Sequence, residues 1–179
     1  MLNLYMNFLY PVHWPEYYTA TINQWQHLLK DDDFKDIVIN SLHYLTTNKR
    51  ISLHAFVIMS NHLHLIWQAL QGFDPSDIQS SFSKYTAGRF KRKLMTEDPL
   101  QLELYKTNKY DREYQFWKRE PLGIELRTAS VFQQKMNYIH ENPVRAGLCK
   151  FPEQYKYSSA RFYENGIDEF GILTHYSGN

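Results

Sequence analysis

Cysteine is nearly missing from this chain: Cys149 stands alone among 179 residues, which excludes an internal disulfide and fits a reducing, cytoplasmic setting. Long apolar runs are missing as well, and none approaches the roughly 18 residues that a membrane span requires. The first stretch, Met1 to Tyr10, has neither the basic start nor the small-residue cleavage site of a secretion signal. Charge of one sign is scarce too, with 20 Lys and Arg against 19 Asp and Glu, a formal net charge of +1. A surface for a polyanion must therefore be a local patch and not a property of the whole chain. The seven glycines form no phosphate-cradling loop, and no carboxylates cluster around the histidines. Those two absences speak against an NTPase and against a carboxylate-based nuclease.

What is present reads as one domain over residues 1–179, with a core at about 16–148 and a C-terminal extension at about 149–179. The apolar fraction of 43% and charged fraction of 22% suit a globular protein with a real core. The 14 tyrosines and 4 tryptophans could stack on unpaired bases, although aromatics more often fill cores.

The run from Tyr17 to Ile22 is β-branched and aromatic and predicts a first strand. Asp31 to Asp33 offer helix caps ahead of Phe34, Ile37, Val38, Ser41, Leu42 and Leu45, a stripe at helical spacing that ends near Asn48. Ile51 to Met59 predicts a buried strand, Ser60-Asn61 a hairpin turn, and His62 to Ala69 the returning strand. Asp74-Pro75 opens a second helix reaching about Met95. Glu97-Asp98-Pro99 reads as a loop and Tyr114 to Lys118 as the last strand. A helix is expected from Thr128 to about Glu141, stopped by Pro143, with Phe132, Met136 and Ile139 facing inward. The tail after Phe151 reads as a partly ordered extension. The order is that of an α+β protein, an antiparallel sheet with helices on one face.

Within the returning strand, His62 and His64 share one face and Leu63, Leu65 and Trp67 the other. Two imidazoles on one face of a strand can hold a single divalent metal. On the late helix, Gln134, Tyr138 and Asn142 are spaced four apart and so share a second face. A tyrosine facing that metal would be a nucleophile beside a Lewis acid, although a lone tyrosine is by default a core or interface residue. Lys84, Arg89, Lys91, Arg92 and Lys93 form a basic run without an acid on the second helix. Either they contact phosphates or they form a solvated helix face. Arg145 and Arg161 are further phosphate candidates, while His54, His140 and Glu141 read as supporting structure.

Met59-Ser60-Asn61-His62-Leu63-His64 resembles the His-hydrophobic-His motif of single-tyrosine HUH transposases. Tyr138-Ile139-His140-Glu141-Asn142-Pro143-Val144-Arg145-Ala146-Gly147-Leu148 resembles the tyrosine segment of their REP-associated branch, and Tyr157-Ser158-Ser159-Ala160-Arg161 a short motif that follows it. Ser60 replaces a frequent proline, and Asn142 stands where the wider family often has glutamine. The resemblance implies a ferredoxin-like sheet with a C-terminal helix carrying the nucleophilic Tyr138. It also implies magnesium or manganese at His62 and His64 with Asn142 as third ligand. The implied reaction is cutting and rejoining of hairpin-bearing single-stranded DNA through a 5′-phosphotyrosine. A homodimer with shared sites is known in the wider family and stays open for this chain. Two other readings remain: a DNA-binding module that no longer cleaves, and a metal-dependent hydrolase using activated water with Tyr138 structural.

Overall fold

The computed structural model describes residues 12–176, so the expectation about Met1 to Tyr10 falls outside the described residues. The elements follow in the order β1 (Glu16–Thr21), α1 (Asp32–Thr47), β2 (Ile51–Ile58), β3 (His62–Ala69), α2 (Pro75–Glu97), α3 (Pro99–Glu103), β4 (Leu122–Glu125), α4 (Ala129–Arg145) and α5 (Ala160–Asn165). The four strands pair antiparallel in the order β2-β3-β1-β4, the ferredoxin-like arrangement. Both central strands, β3 and β1, are thus flanked on each side.

Alternation along the central strands divides the apolar residues between two cores. Tyr18, Phe56, Leu63, Leu65 and Trp67 join Leu42 and Leu45 of α1 and Phe82 and Phe90 of α2 on one face. Tyr17, Ala55, Val57 and Ile66 meet Phe132, Met136 and Ile139 of α4 on the other. Helices α1 and α2 therefore cover one face, as expected, and the tyrosine-bearing α4 closes the opposite one. Each large side chain so buried contributes about 1.5–3 kcal/mol, which makes this division a strong constraint on strand register.

Four expectations need correction. Glu97-Asp98-Pro99 is no loop: Asp98 ends α2 and at once caps α3, its carboxylate accepting from the Gln101 amide at 2.9 Å. The Tyr114 to Lys118 segment forms only isolated bridges, Lys106 to Tyr114 and Ile22 to Trp117, and the fourth strand is Leu122–Glu125. Helix α4 runs through Pro143 to Arg145. Finally, the tail packs onto the edge of β2: Ile58 donates to the Tyr157 carbonyl at 2.9 Å, Ser159 to Phe56 at 3.0 Å and Thr174 to Leu53 at 2.8 Å.

Candidate functional site

Antiparallel pairing sets Thr19 opposite His64 and Thr21 opposite His62, with Tyr17 one step further along the same face of β1. His64 is 5% exposed. Its Nδ1 lies 2.9 Å from the Tyr17 hydroxyl and 2.8 Å from the Thr19 hydroxyl. Its Nε2 is buried and has no hydrogen-bond partner among the described residues. An orphaned buried nitrogen costs about 1–3 kcal/mol of lost hydration, which a ligand at that atom would recover. Burial, with the charges of His62 and Lys135 adding to it, pushes the His64 pKa down to about 3. The ring is therefore neutral and keeps a lone pair for a metal.

His62 is held differently. Its Nδ1 lies 2.7 Å from Asn61 Oδ1, an atom that only accepts, so Nδ1 carries the proton and Nε2 the lone pair. Burial lowers its pKa, and a hydrogen bond with the Asn142 side chain opposes that shift. The two imidazole rings are 5.0 Å apart between centroids.

Tyr138 reaches this pair from α4. Its ring is 5.4 Å from His64 and 6.4 Å from Tyr17, edge-on to both, and the residue is 39% exposed. The inward stripe Phe132, Met136 and Ile139 fixes the helix against the sheet, which aims Tyr138 and Asn142 along its border. Asn142 donates from its amide to the Tyr138 carbonyl at 3.3 Å, one turn back. The Arg145 guanidinium lies 5.5 Å from the Tyr138 ring centre. The sequence-expected His62, His64, Tyr138, Asn142 and Arg145 therefore converge.

As a metal site the donors are two imidazoles and one amide. Among the described residues, no group of three or more His, Cys, Asp or Glu side chains comes together to hold an ion. Such a set fits an open site, with remaining positions filled by water or a phosphate oxygen. The orphaned Nε2 of His64 is the observation that favours the fit.

The remaining phosphate candidates are not brought to this place. Lys84, Arg89, Lys91, Arg92 and Lys93 ride on α2, across the sheet from α4. Acids neutralise part of that run: Lys91 pairs with Glu113 at 3.1 Å, and Lys93 with Asp33 of α1 at 3.0 Å and with Glu97, the last residue of α2 itself, at 2.7 Å. Arg92 donates to the Gly88 carbonyl, while Lys84 and Arg89 are exposed. Arg161 pairs with Glu169 at 3.3 Å. His54 and His140 fasten the tail, His54 through Nδ1 to the Thr174 carbonyl at 3.0 Å and His140 through Nε2 to the Ser159 hydroxyl at 2.8 Å.

Sequence reasoning missed Tyr17 and Thr19 as the partners of His64, and Lys135, whose ammonium lies 4.7 Å from the Tyr17 ring centre. Alternation in the first strand puts Tyr17 and Thr19 on one face, but only the pairing register sets them against His64.

A family model described as "Transposase IS200 like" matches residues 18–142, well over half of the chain and all of His62, His64, Tyr138 and Asn142. The chain belongs to the IS200-like transposase family. This IS200-like transposase is accordingly an enzyme of DNA transposition. A solved REP-associated tyrosine transposase bound to a REP hairpin shares its fold, with a TM-score of 0.64 and 18% identity over 95% of this chain and 93% of that one. A candidate transposase from Deinococcus radiodurans superposes more loosely, with a TM-score of 0.45 and 17% identity over 73% and 91%. No curated protein matches the sequence. No helix among the described residues of this transposase is long and apolar enough to cross a membrane.

Proposed function

We propose that this transposase cuts and rejoins hairpin-bearing single-stranded DNA through a phosphotyrosine at Tyr138, in the manner of the REP-associated branch. The observation that carries the reading is the buried, unpartnered Nε2 of His64 beside a half-exposed tyrosine on a facing helix. A magnesium or manganese ion held by His62, His64 and Asn142 would supply Lewis-acid polarisation of the scissile phosphate.

The chain's own groups then do the rest. The Tyr138 hydroxyl oxygen attacks phosphorus, forming an O–P bond and breaking the bond to the 3′ oxygen. The phenolic proton passes to solvent, and the departing 3′ oxygen takes a proton from solvent. The 5′-phosphate stays on Tyr138, so a different 3′-OH can later attack it and join strands without ATP. Covalent capture divides one hard step into two easier ones.

REP-like hairpin DNA is proposed as the partner because the solved relative of the same fold is a complex with a REP hairpin. A single domain suffices for the site, since His62, His64 and Tyr138 of one chain already meet, and no second subunit is needed to assemble it. The compartment proposed is the cytoplasm. The test is covalent capture: labelled hairpin DNA, protein and manganese, followed by denaturation in detergent. Label migrating with the protein, and lost in Tyr138→Phe and in a His62/His64 double alanine variant, supports the reading. Cleavage without an adduct that survives Tyr138→Phe would support the hydrolase, and metal-independent binding without cleavage the binding module.

A further inference from the structure

We propose that Lys135 is a catalytic residue of this site, its ammonium holding the non-bridging oxygens of the phosphate that Tyr138 attacks. The inference rests on the phosphotyrosine reading above and names a further group that the phosphate meets.

Lys135 precedes Tyr138 by three residues on α4, so the two side chains are neighbours on the helix surface. Its Nζ lies 4.7 Å from the centre of the Tyr17 ring. The hydroxyl of that same ring touches His64 Nδ1 at 2.9 Å, and the ring stands edge-on to Tyr138 at 6.4 Å. Tyr17 is thus a plate shared by the lysine, the metal-binding histidine and the nucleophile. The plate draws the ammonium toward the site, where solvent alone would let it wander.

Among the described residues, Lys35, Lys91, Lys93, Lys106 and Lys156 each reach a carboxylate; the other seven lysines do not, and of these Lys135 is the one set against the Tyr17 ring. A half-buried ammonium left with only an aromatic face is poised for an anion from outside. Arg145 lies on the other side of Tyr138 along α4, 5.5 Å from its ring. A phosphodiester entering between the two cations would meet Tyr138 at its centre. During attack, negative charge grows on the non-bridging oxygens, so a cation fixed there stabilises the transition state more than the bound substrate. The lysine should therefore act on the rate of adduct formation more than on affinity.

The experiment compares wild type, Lys135→Ala and Lys135→Arg in single-turnover adduct formation with saturating hairpin DNA and manganese. Affinity is measured separately in a Tyr138→Phe background over a series of salt concentrations. The expected loss of rate in Lys135→Ala is roughly hundredfold, with most of it recovered in Lys135→Arg. The salt dependence of binding should become shallower by about 0.7, the value of one single-strand phosphate contact. Manganese affinity and melting temperature should stay at wild-type values. An adduct rate in Lys135→Ala within about threefold of wild type would overturn the proposal, being far short of a transition-state charge contact. So would an equal loss in both variants together with a fallen melting temperature, which marks a packing role. If wild type itself forms no adduct, the phosphotyrosine reading fails, and an unchanged salt slope would then reject the phosphate contact on its own.

Discussion

Thr19 and Tyr17 bear on which nitrogen of His64 is free. Both hydroxyls lie within hydrogen-bond distance of Nδ1, and donation from Nδ1–H to either leaves the lone pair on Nε2. Replacing both, Thr19→Val with Tyr17→Phe, keeps shape and removes the tether. Manganese affinity, followed by titration, should fall about 10–100-fold, the usual effect of losing such supporting bonds. Unchanged affinity would mean that the hydroxyls do not set the tautomer. His54 offers a separate test, away from the proposed metal ligands. Burial lowers its pKa, against weaker opposition from its bonds to Thr174 and Gln68. The folded state thus resists a proton that the unfolded chain accepts below about pH 6.5. The stability that neutral His54 supports is fully present above that pH and is lost as pH falls below it. Urea unfolding at about pH 7.5 and about pH 5.5 should show wild type losing stability on the acid side, and His54→Asn losing less.

Helix α4 ends at Arg145, and Gly147 just beyond it, not Pro143, turns the chain away. Gly147 adopts φ of +70° and donates to the Val144 carbonyl at 2.9 Å, while Leu148 donates to Pro143 at 2.9 Å. These two bonds form a Schellman cap, which turns the chain out of the helix. Pro143 lacks the N–H that would bond to the Ile139 carbonyl, so the helix gives up one rung there and ends within one further turn, at Arg145. No atom crowds a Cβ placed at Gly147, so Gly147→Ala should cost about 1–2 kcal/mol from backbone strain alone, read as a fall in melting temperature.

The elements that could be read from sequence were those with a clear apolar pattern or cap, β1, α1, β2, β3, α2 and the inward stripe of α4. Strand β4 escaped notice because all four of its residues are exposed and one is Gly123. A Cβ at that glycine would meet the end of the Glu16 side chain on β1, which would have to swing aside. The segment from Tyr114 to Lys118 looked more strand-like because Phe116 is a core residue, buried against Phe90 and Tyr105. Burial and strand pairing are separate properties, and only the first leaves a mark on composition.

For the whole molecule, the tail solves the problem of a bare sheet edge. β2 is an edge strand in the sheet order, and its outer groups bond to Tyr157, Ser159 and Thr174. Ser159 also bonds His140 of α4 and the Phe56 backbone, joining tail, helix and strand at one buried hydroxyl. Removing everything after Phe151 should expose that edge and lower the melting temperature, with aggregation visible by size-exclusion chromatography. A truncated chain that melts like the full one would contradict this.

The same scale explains what of the site was legible. His62, His64, Tyr138 and Asn142 each sit in a local pattern that carries its own face assignment, so their convergence could be expected. The partners Tyr17 and Thr19 depend on the register between β1 and β3, which lie far apart in sequence. The basic run of α2 was visible, but its position across the sheet and its acidic neighbours Asp33 and Glu113 belong to tertiary structure.

The measurement that bears most directly on the central claim is mass spectrometry of the protein after reaction with hairpin single-stranded DNA and manganese, digested to peptides. The account predicts a nucleotide 5′-phosphate on Tyr138, absent in Tyr138→Phe and when His62 and His64 are both replaced. Cleaved DNA with an unmodified Tyr138 peptide, or a phosphate on another residue, would contradict it.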